Sequence, residues 1–316
     1  MPLMQEVIYG CMGLGGSWSD EPHGTQHVDQ AAAAVQAALD AGITLFDHAD
    51  IYRSGKSEAV FGEVLAGTPG LRDRVRLQTK CGIRLNERGL ATHYDLSRDA
   101  ILERVNGSLN RLRTDYVDIL LLHRPDPLAD PAEVASAVGQ LMAEGKVRHL
   151  GVSNMSAAQI EVLQDRLETP VVANQLEMSL LKRAWLESQV LVNHPEHLDY
   201  SFPHGTLEYC TRNNITLQAY GSLARGAYTG AETGSPSSAE AATAELVAEL
   251  AGEYSTSGEA ILLGWLMKHP AGIAPVIGTA NPDRIRACAD AARVARAMTR
   301  ADWYRLWVTA RGSNIP

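Results

Sequence analysis

The chain has 316 residues, 45% hydrophobic and 21% charged, an ordinary globular balance with length for one large domain or two small ones. Lys and Arg total 28 against 37 Asp and Glu, a net charge of −9, which excludes a generally basic surface for nucleic acid or an anionic membrane. The N-terminal Met1-Pro2-Leu3-Met4 lacks the basic-then-apolar layout of a secretory leader, and the longest apolar runs, such as Ile119 to Leu122, are too short to span a bilayer, so a cytoplasmic protein is expected.

Short apolar, β-branched runs alternate with amphipathic stretches from one end to the other. The first strand, 7–12, leads into Gly10-Cys11-Met12-Gly13-Leu14-Gly15-Gly16, which is glycine-rich but misses the G-x-G-x-x-G spacing of a dinucleotide-binding turn. A helix over 25–40 follows, stopped by Gly42, and then strands at 43–47 and 75–80. Next come a helix at 97–112, a strand at 117–123 and a helix at 131–144 stopped by Gly145. After these lie a strand at 147–152, a helix at 156–167 and a strand at 171–175. The stretch 182–203, with Trp185, His194, Pro195, His197 and Tyr200, reads as irregular. A strand at 215–220 precedes the small, polar segment 226–239, read as a mobile loop. A helix at 239–250, a strand at 273–277 and a helix at 281–297 complete the pattern.

Strands this apolar, separated by helices, argue for a parallel sheet buried on both faces. Eight strand–helix units in this length fit a closed (β/α)8 TIM barrel, one domain over 1–316 with extended loops on the catalytic face and a helical tail. An open doubly wound sheet is the alternative. The four cysteines, Cys11, Cys81, Cys210 and Cys288, are scattered, without metal-ligand spacing, so buried reduced thiols and no metal are expected.

Four polar residues stand just past strand-like runs: Asp47 and Tyr52 after the second, Lys80 after the third, His123 after the fourth. In a parallel barrel those strand ends converge on one rim, with neighbouring strands about 5 Å apart. A tyrosine of pKa about 10 is a sluggish acid at neutral pH, and a lysine cation beside it favours the phenolate and lowers that pKa. Asp47 would keep Lys80 charged and aimed, and His123 would donate a hydrogen bond to a substrate oxygen. Taken singly, Asp47 suits a turn cap, Tyr52 a core aromatic, Lys80 a solvated strand end and His123 a satisfied buried histidine. Their joint placement favours an active site.

The run Asp47-His48-Ala49-Asp50-Ile51-Tyr52, then Ser57-Glu58 and Gly62, resembles the D-x-A-x-x-Y…S-E-x-x-x-G signature of the aldo-keto reductases. The likeness continues through Thr79-Lys80, Asp115 to Asp126 with His123 inside it, Gly145 to Asn154, Asn174-Gln175, Ala219 to Gly226 and Val276 to Thr279. The ending from Met298 resembles a bacterial branch of that family. The resemblance implies a (β/α)8 barrel that binds NADPH, or less typically NAD, extended across its rim. It implies reduction of an aldehyde or ketone, or the reverse oxidation. Tyr52 would be the proton donor, His123 the orienting group, and the nicotinamide the hydride source. Ser153, Asn154 and Gln175 match residues that hold the nicotinamide carboxamide, and Tyr220 the aromatic that stacks on its ring. Ser222, Leu223 and Arg225 match the loop crossing the pyrophosphate. Gly278, Thr279, Asn281 and Arg284 match the segment that binds the adenosine phosphate, where backbone N–H groups, a hydroxyl and a guanidinium suit an anion. Thr279 or Asn281 as a simple helix cap, with Arg284 solvated, is the alternative there.

Three departures stand out. Tyr220-Gly221-Ser222-Leu223 replaces the commoner Y-S-P-L, which predicts a looser loop. Ala287-Cys288 stands where the family often has Glu-Asn near the adenine, so NADP over NAD preference is left open. Arg53 stands where glycine usually follows the tyrosine, either reaching an anionic substrate group or pointing to solvent. Trp18, Tyr94 and residues of 182–203 are candidates for an apolar substrate pocket. The partner expected is a small carbonyl or alcohol, with no nucleic acid and no membrane. A cofactor-sensing regulatory subunit, as the potassium-channel β-subunits of the family are, is the competing role. A metal-dependent hydrolase lacks clustered ligands, since His93, His149, His194 and His197 are scattered.

Overall fold

Eight strands close into a barrel in the computed structural model, which describes residues 6–19, 21–87, 89–231 and 235–316. They are β1 (Ile8–Gly10), β2 (Leu45–Asp47), β3 (Arg76–Cys81), β6 (Val117–Leu122), β7 (Val147–Ser153), β8 (Val171–Glu177), β9 (Thr216–Tyr220) and β10 (Ala274–Ile277). Their order around the barrel is β1-β10-β9-β8-β7-β6-β3-β2. A separate antiparallel pair, β4 (Ile83–Glu87) and β5 (Leu90–Tyr94), joins Ile83 to Tyr94 and Glu87 to Leu90. The hairpin was not foreseen, because its sequence alternates weakly and half its residues are polar. The chain divides into two compact units, residues 8–175 with 278–282, and residues 6–7, 176–277 and 283–316.

In the first unit the parallel register sets Asp47 beside Gln78, Lys80 beside Leu121 and Ser153 beside Gln175. Every residue of β6 is buried, as strands covered on both faces must be. Gly151 is required by close packing, since a Cβ there would lie 2.4 Å from Leu121 Cδ2 and 3.0 Å from the Ala173 carbonyl. Helix Thr25–Asp40 buries Ala31, Ala34, Val35 and Ala38 at three- and four-residue spacing. Helix Pro131–Ala143 starts where Asp130 accepts a hydrogen bond from Ala132 N (2.8 Å) and proline occupies the first turn.

In the second unit, helices Ala184–Val190, Gly258–Met267 and Arg300–Arg311 assemble a tryptophan core. Trp265 and Trp303 stack with centroids 5.3 Å apart, and each indole N–H donates to the other's carbonyl, at 3.0 and 2.9 Å. Fully buried Glu187 accepts from Trp307 Nε1 (2.9 Å) and Arg311 Nε (3.1 Å). The stretch 182–203 is therefore not irregular throughout, and Trp185 is a core residue packed edge-on to Trp265. The helix there has seven residues, too few to show a period. The expected helix 281–297 is two, Pro282–Arg286 and Ala291–Ala297. Ser257 Oγ takes the Ala287 carbonyl, and Asp290 turns to Thr256 (3.0 Å) and Arg293 (2.7 Å), which breaks the helical ladder between them. Part of the segment 226–239, residues 232–234, lies outside the described residues; Ser237 caps helix Ser238–Glu253.

Candidate active site

Side chains two apart on a strand share a face, so Gln78 and Lys80 of β3 both point toward Asp47, which ends β2. Gln78 Nε2 donates to Asp47 Oδ1 at 2.6 Å. Lys80 Nζ lies 2.7 Å from each Asp47 oxygen, 2.9 Å from the His48 carbonyl and 3.0 Å from the Tyr52 hydroxyl. The chain leaving β2 is laid along the exit of β3, with His48 N on the Gln78 carbonyl (2.8 Å) and Asp50 N on that of Lys80 (3.0 Å). This brings Tyr52 over the ammonium. His123 follows β6, its N–H held by the Cys81 carbonyl at 2.9 Å. Its ring meets that of Tyr52 edge-on, with centroids 6.1 Å apart. These four side chains thus form one cluster.

Lys80 is fully buried. Burial alone would lower its pKa, but the Asp47 carboxylate and the Tyr52 hydroxyl outweigh it, and the net shift is upward. The phenol of Tyr52 moves the opposite way from the sequence-based expectation. Burial raises its pKa and outweighs Lys80, which lowers it, while Asp47 adds to the rise. Tyr52 is held as a neutral phenol. Burial, then the nearby Lys80 and Arg124 cations, depress His123 well below the usual imidazole range, so it too is neutral. Its Nδ1 is buried without a hydrogen-bond partner among the described residues.

Beside this cluster lie the residues matched to the carboxamide. Ser153 Oγ donates to the Gln175 carbonyl at 2.9 Å, as does Asn154 N at 3.0 Å. Asn154, with a left-handed φ of 58°, donates its Nδ2 to Ser153 Oγ (2.8 Å) and toward the His123 carbonyl (3.4 Å). Thr279 Oγ1 accepts from Asn281 N at 3.2 Å, the local capping arrangement. In the second unit Tyr220 ends β9, and Ser222 Oγ donates to the Val276 carbonyl at 2.8 Å. The same loop carries turn bonds from Ala224 N to the Gly221 carbonyl (2.9 Å) and from Gly226 N to that of Leu223 (2.8 Å). Arg225 is exposed with φ 56°. Arg284 is not simply solvated, since it contacts Thr229 Oγ1 at 3.1 Å and Glu259 at 3.5 Å. Tyr94 ends the hairpin and is 39% exposed, while Trp18 is 47% exposed.

Sequence reasoning overlooked several neighbours. Gln78 could have been found from its two-residue offset to Lys80. Glu58 is fully buried, accepting from Thr79 Oγ1 (2.5 Å) and Arg111 Nε (2.8 Å). Asp50 is buried 3.8 Å from Arg104, and burial followed by Glu58 pushes its pKa up to about 7. Among the described residues no group of three or more His, Cys, Asp or Glu could hold a metal, and no helix is long and apolar enough to cross a membrane. All four cysteines are buried, and among the described residues none forms a disulfide.

Residues 6–305 match the model of the Aldo/keto reductase family. The chain belongs to that family. It is accordingly an oxidoreductase acting on carbonyl or alcohol groups. It is 35% identical to a 6-dehydroglucose reductase of Agrobacterium fabrum, over 99% of this chain and 96% of that protein. A 6-dehydroglucose reductase of Novosphingobium aromaticivorans is 37% identical, over 95% of this chain and 92% of the other. Among solved structures, the glycerol dehydrogenase of Gluconobacter oxydans superposes with a TM-score of 0.77 at 23% identity, covering 98% of this chain and 93% of its own. An aldo-keto reductase of Klebsiella pneumoniae, solved in complex with NADPH, gives 0.70 at 23%, covering 96% and 90%. At that identity the likeness is one of fold, the (β/α)8 barrel.

Proposed function

We propose that the chain reduces an aldehyde or ketone to an alcohol, or runs the reverse, with Tyr52 as the proton donor and NADPH as the reductant. The observation that carries this reading is the buried ammonium of Lys80, in contact with both the Asp47 carboxylate and the Tyr52 hydroxyl. The neutral phenol holds the proton that a carbonyl oxygen must receive. As that proton leaves, negative charge grows on an oxygen 3.0 Å from an ammonium already fixed by Asp47, so the receiving charge needs no reorganisation. Neutral His123 retains one ring N–H to orient the substrate oxygen.

The donor set suits a nicotinamide. A hydroxyl and two carboxamides, from Ser153, Asn154 and Gln175, offer the mixed donors and acceptors that the nicotinamide carboxamide requires. Tyr220 would stack on the ring. Ser222, Leu223 and Arg225 would face the pyrophosphate, and Gly278, Thr279, Asn281 and Arg284 the adenosine phosphate. When bound, NADPH supplies the hydride.

Steady-state NADPH oxidation across an aldehyde panel tests the proposal. Tyr52→Phe should cut turnover by about 10²–10⁴-fold, the usual worth of a general acid, while NADPH still quenches tryptophan fluorescence. Full activity in that variant would remove Tyr52 from the role.

A further inference from the structure

Tyr52 is followed by three residues in left-handed conformation: Arg53 (φ 53°), Ser54 (φ 57°) and Gly55 (φ 84°). This region penalises a Cβ and favours glycine, so an arginine with a long side chain is strained there. Such strain persists where the surroundings hold the residue in place, and here they do. Arg53 Nε donates to the Met12 carbonyl at 3.0 Å, and the guanidinium carbon lies 5.3 Å from the centre of the Trp18 ring. The segment that carries Met12 and Trp18 is itself fastened. Ser57 Oγ donates to the Cys11 carbonyl at 2.7 Å, and Lys56 Nζ to the carbonyls of Ser19 (2.6 Å) and Glu21 (2.9 Å).

One edge of the Arg53 guanidinium is thereby anchored while its Nη1 and Nη2 have no partner among the described residues. Lys56, the next cation, spends its donors on main-chain carbonyls. Met12 and Trp18 beside the guanidinium are about half exposed, 49% and 47%. A fixed cation beside an exposed aromatic is the equipment for a carboxylate attached to an apolar body. The adjacent Tyr52 turns inward to Lys80, while Arg53 turns out to Met12. Consecutive Cα atoms are about 3.8 Å apart, so the phenol and the guanidinium leave the chain at neighbouring points.

We propose that Arg53 binds a carboxylate of the substrate, making carboxylated aldehydes or ketones the substrate class of this chain. This rests on the carbonyl-reductase reading above. The test compares para-carboxybenzaldehyde with the neutral para-nitrobenzaldehyde, in wild type, Arg53→Gly and Arg53→Lys, by NADPH oxidation. Glycine relaxes the left-handed backbone, so that variant should fold, as a thermal melt would show. Wild type should favour the carboxylated aldehyde through a lower KM. The ratio of kcat/KM, carboxylated over neutral, should fall about 10–100-fold in Arg53→Gly, with lysine restoring part of it. An unchanged ratio, or equal loss on both aldehydes, would make Arg53 a loop fastener only and overturn the proposal. If wild type turned over neither aldehyde, the reductase reading itself would fall, and this inference with it.

Discussion

Asp47→Asn removes the anion that faces Lys80 and leaves the shape of the site almost intact. In the folded protein the side chains of this pair are 1% and 3% exposed. Removing one partner of a buried ion pair costs about 3–5 kcal/mol, because the other charge is left uncompensated. Lys80 limits that cost by giving up its proton. For a lysine of ordinary pKa near 10.4, deprotonation at pH 7 costs about 4.6 kcal/mol, which is therefore the ceiling. The pH dependence is the sharper signature. In the wild type Lys80 has a folded pKa above its unfolded value, so the stability linked to its protonation is complete at neutral pH and is lost as pH rises through the folded value. In Asp47→Asn burial dominates and the folded pKa drops below the unfolded one. The unfolded state then binds more protons, and stability rises with pH from about 7 toward about 10. Urea unfolding followed by tryptophan fluorescence at several pH values measures both effects. A variant as stable as wild type, or one whose deficit is the same at pH 7 and pH 10, would refute the reasoning.

Asp50 tests burial in the opposite sense. Its folded pKa of about 7 exceeds the usual carboxylate value, so the folded state holds the extra proton and stability falls as pH rises from about 4 to about 7. Asp50→Asn should flatten that slope and be more stable than wild type at neutral pH, checked by urea unfolding at both ends of the range. Gly151→Ala should lower stability by about 1–3 kcal/mol, read by thermal denaturation, because its Cβ would press into Leu121 and the Ala173 carbonyl.

Much of the barrel was legible because strand cores announce themselves locally. The expected strands at 117–123 and 147–152 fall within a residue of β6 and β7, since each carries a short buried apolar stretch, Ile119 to Leu122 and Leu150 to Val152, bounded by polar residues. The β4–β5 hairpin and helix Ala184–Val190 escaped, being too short or too polar to show a period. At the site, the offset between strand ends suggested that Asp47, Lys80 and Tyr52 could meet. The geometry adds Gln78, which donates to the Asp47 carboxylate, and the His48 carbonyl, which accepts from Lys80; no motif marks either contact. Arg53 shows the limit from the other side. Its departure from glycine is visible in the sequence, but its contact with the Met12 carbonyl joins residues 41 apart along the chain.

What the order of residues settled alone was which polar groups terminate which strands, because alternation and turn chemistry act over a few neighbours. What needed the folded chain was the balance at those groups. Burial of Tyr52 outweighs the lysine beside it and leaves a neutral phenol, reversing the local expectation. Exclusion from water is set by everything packed around a side chain, and those neighbours are brought in from distant parts of the sequence.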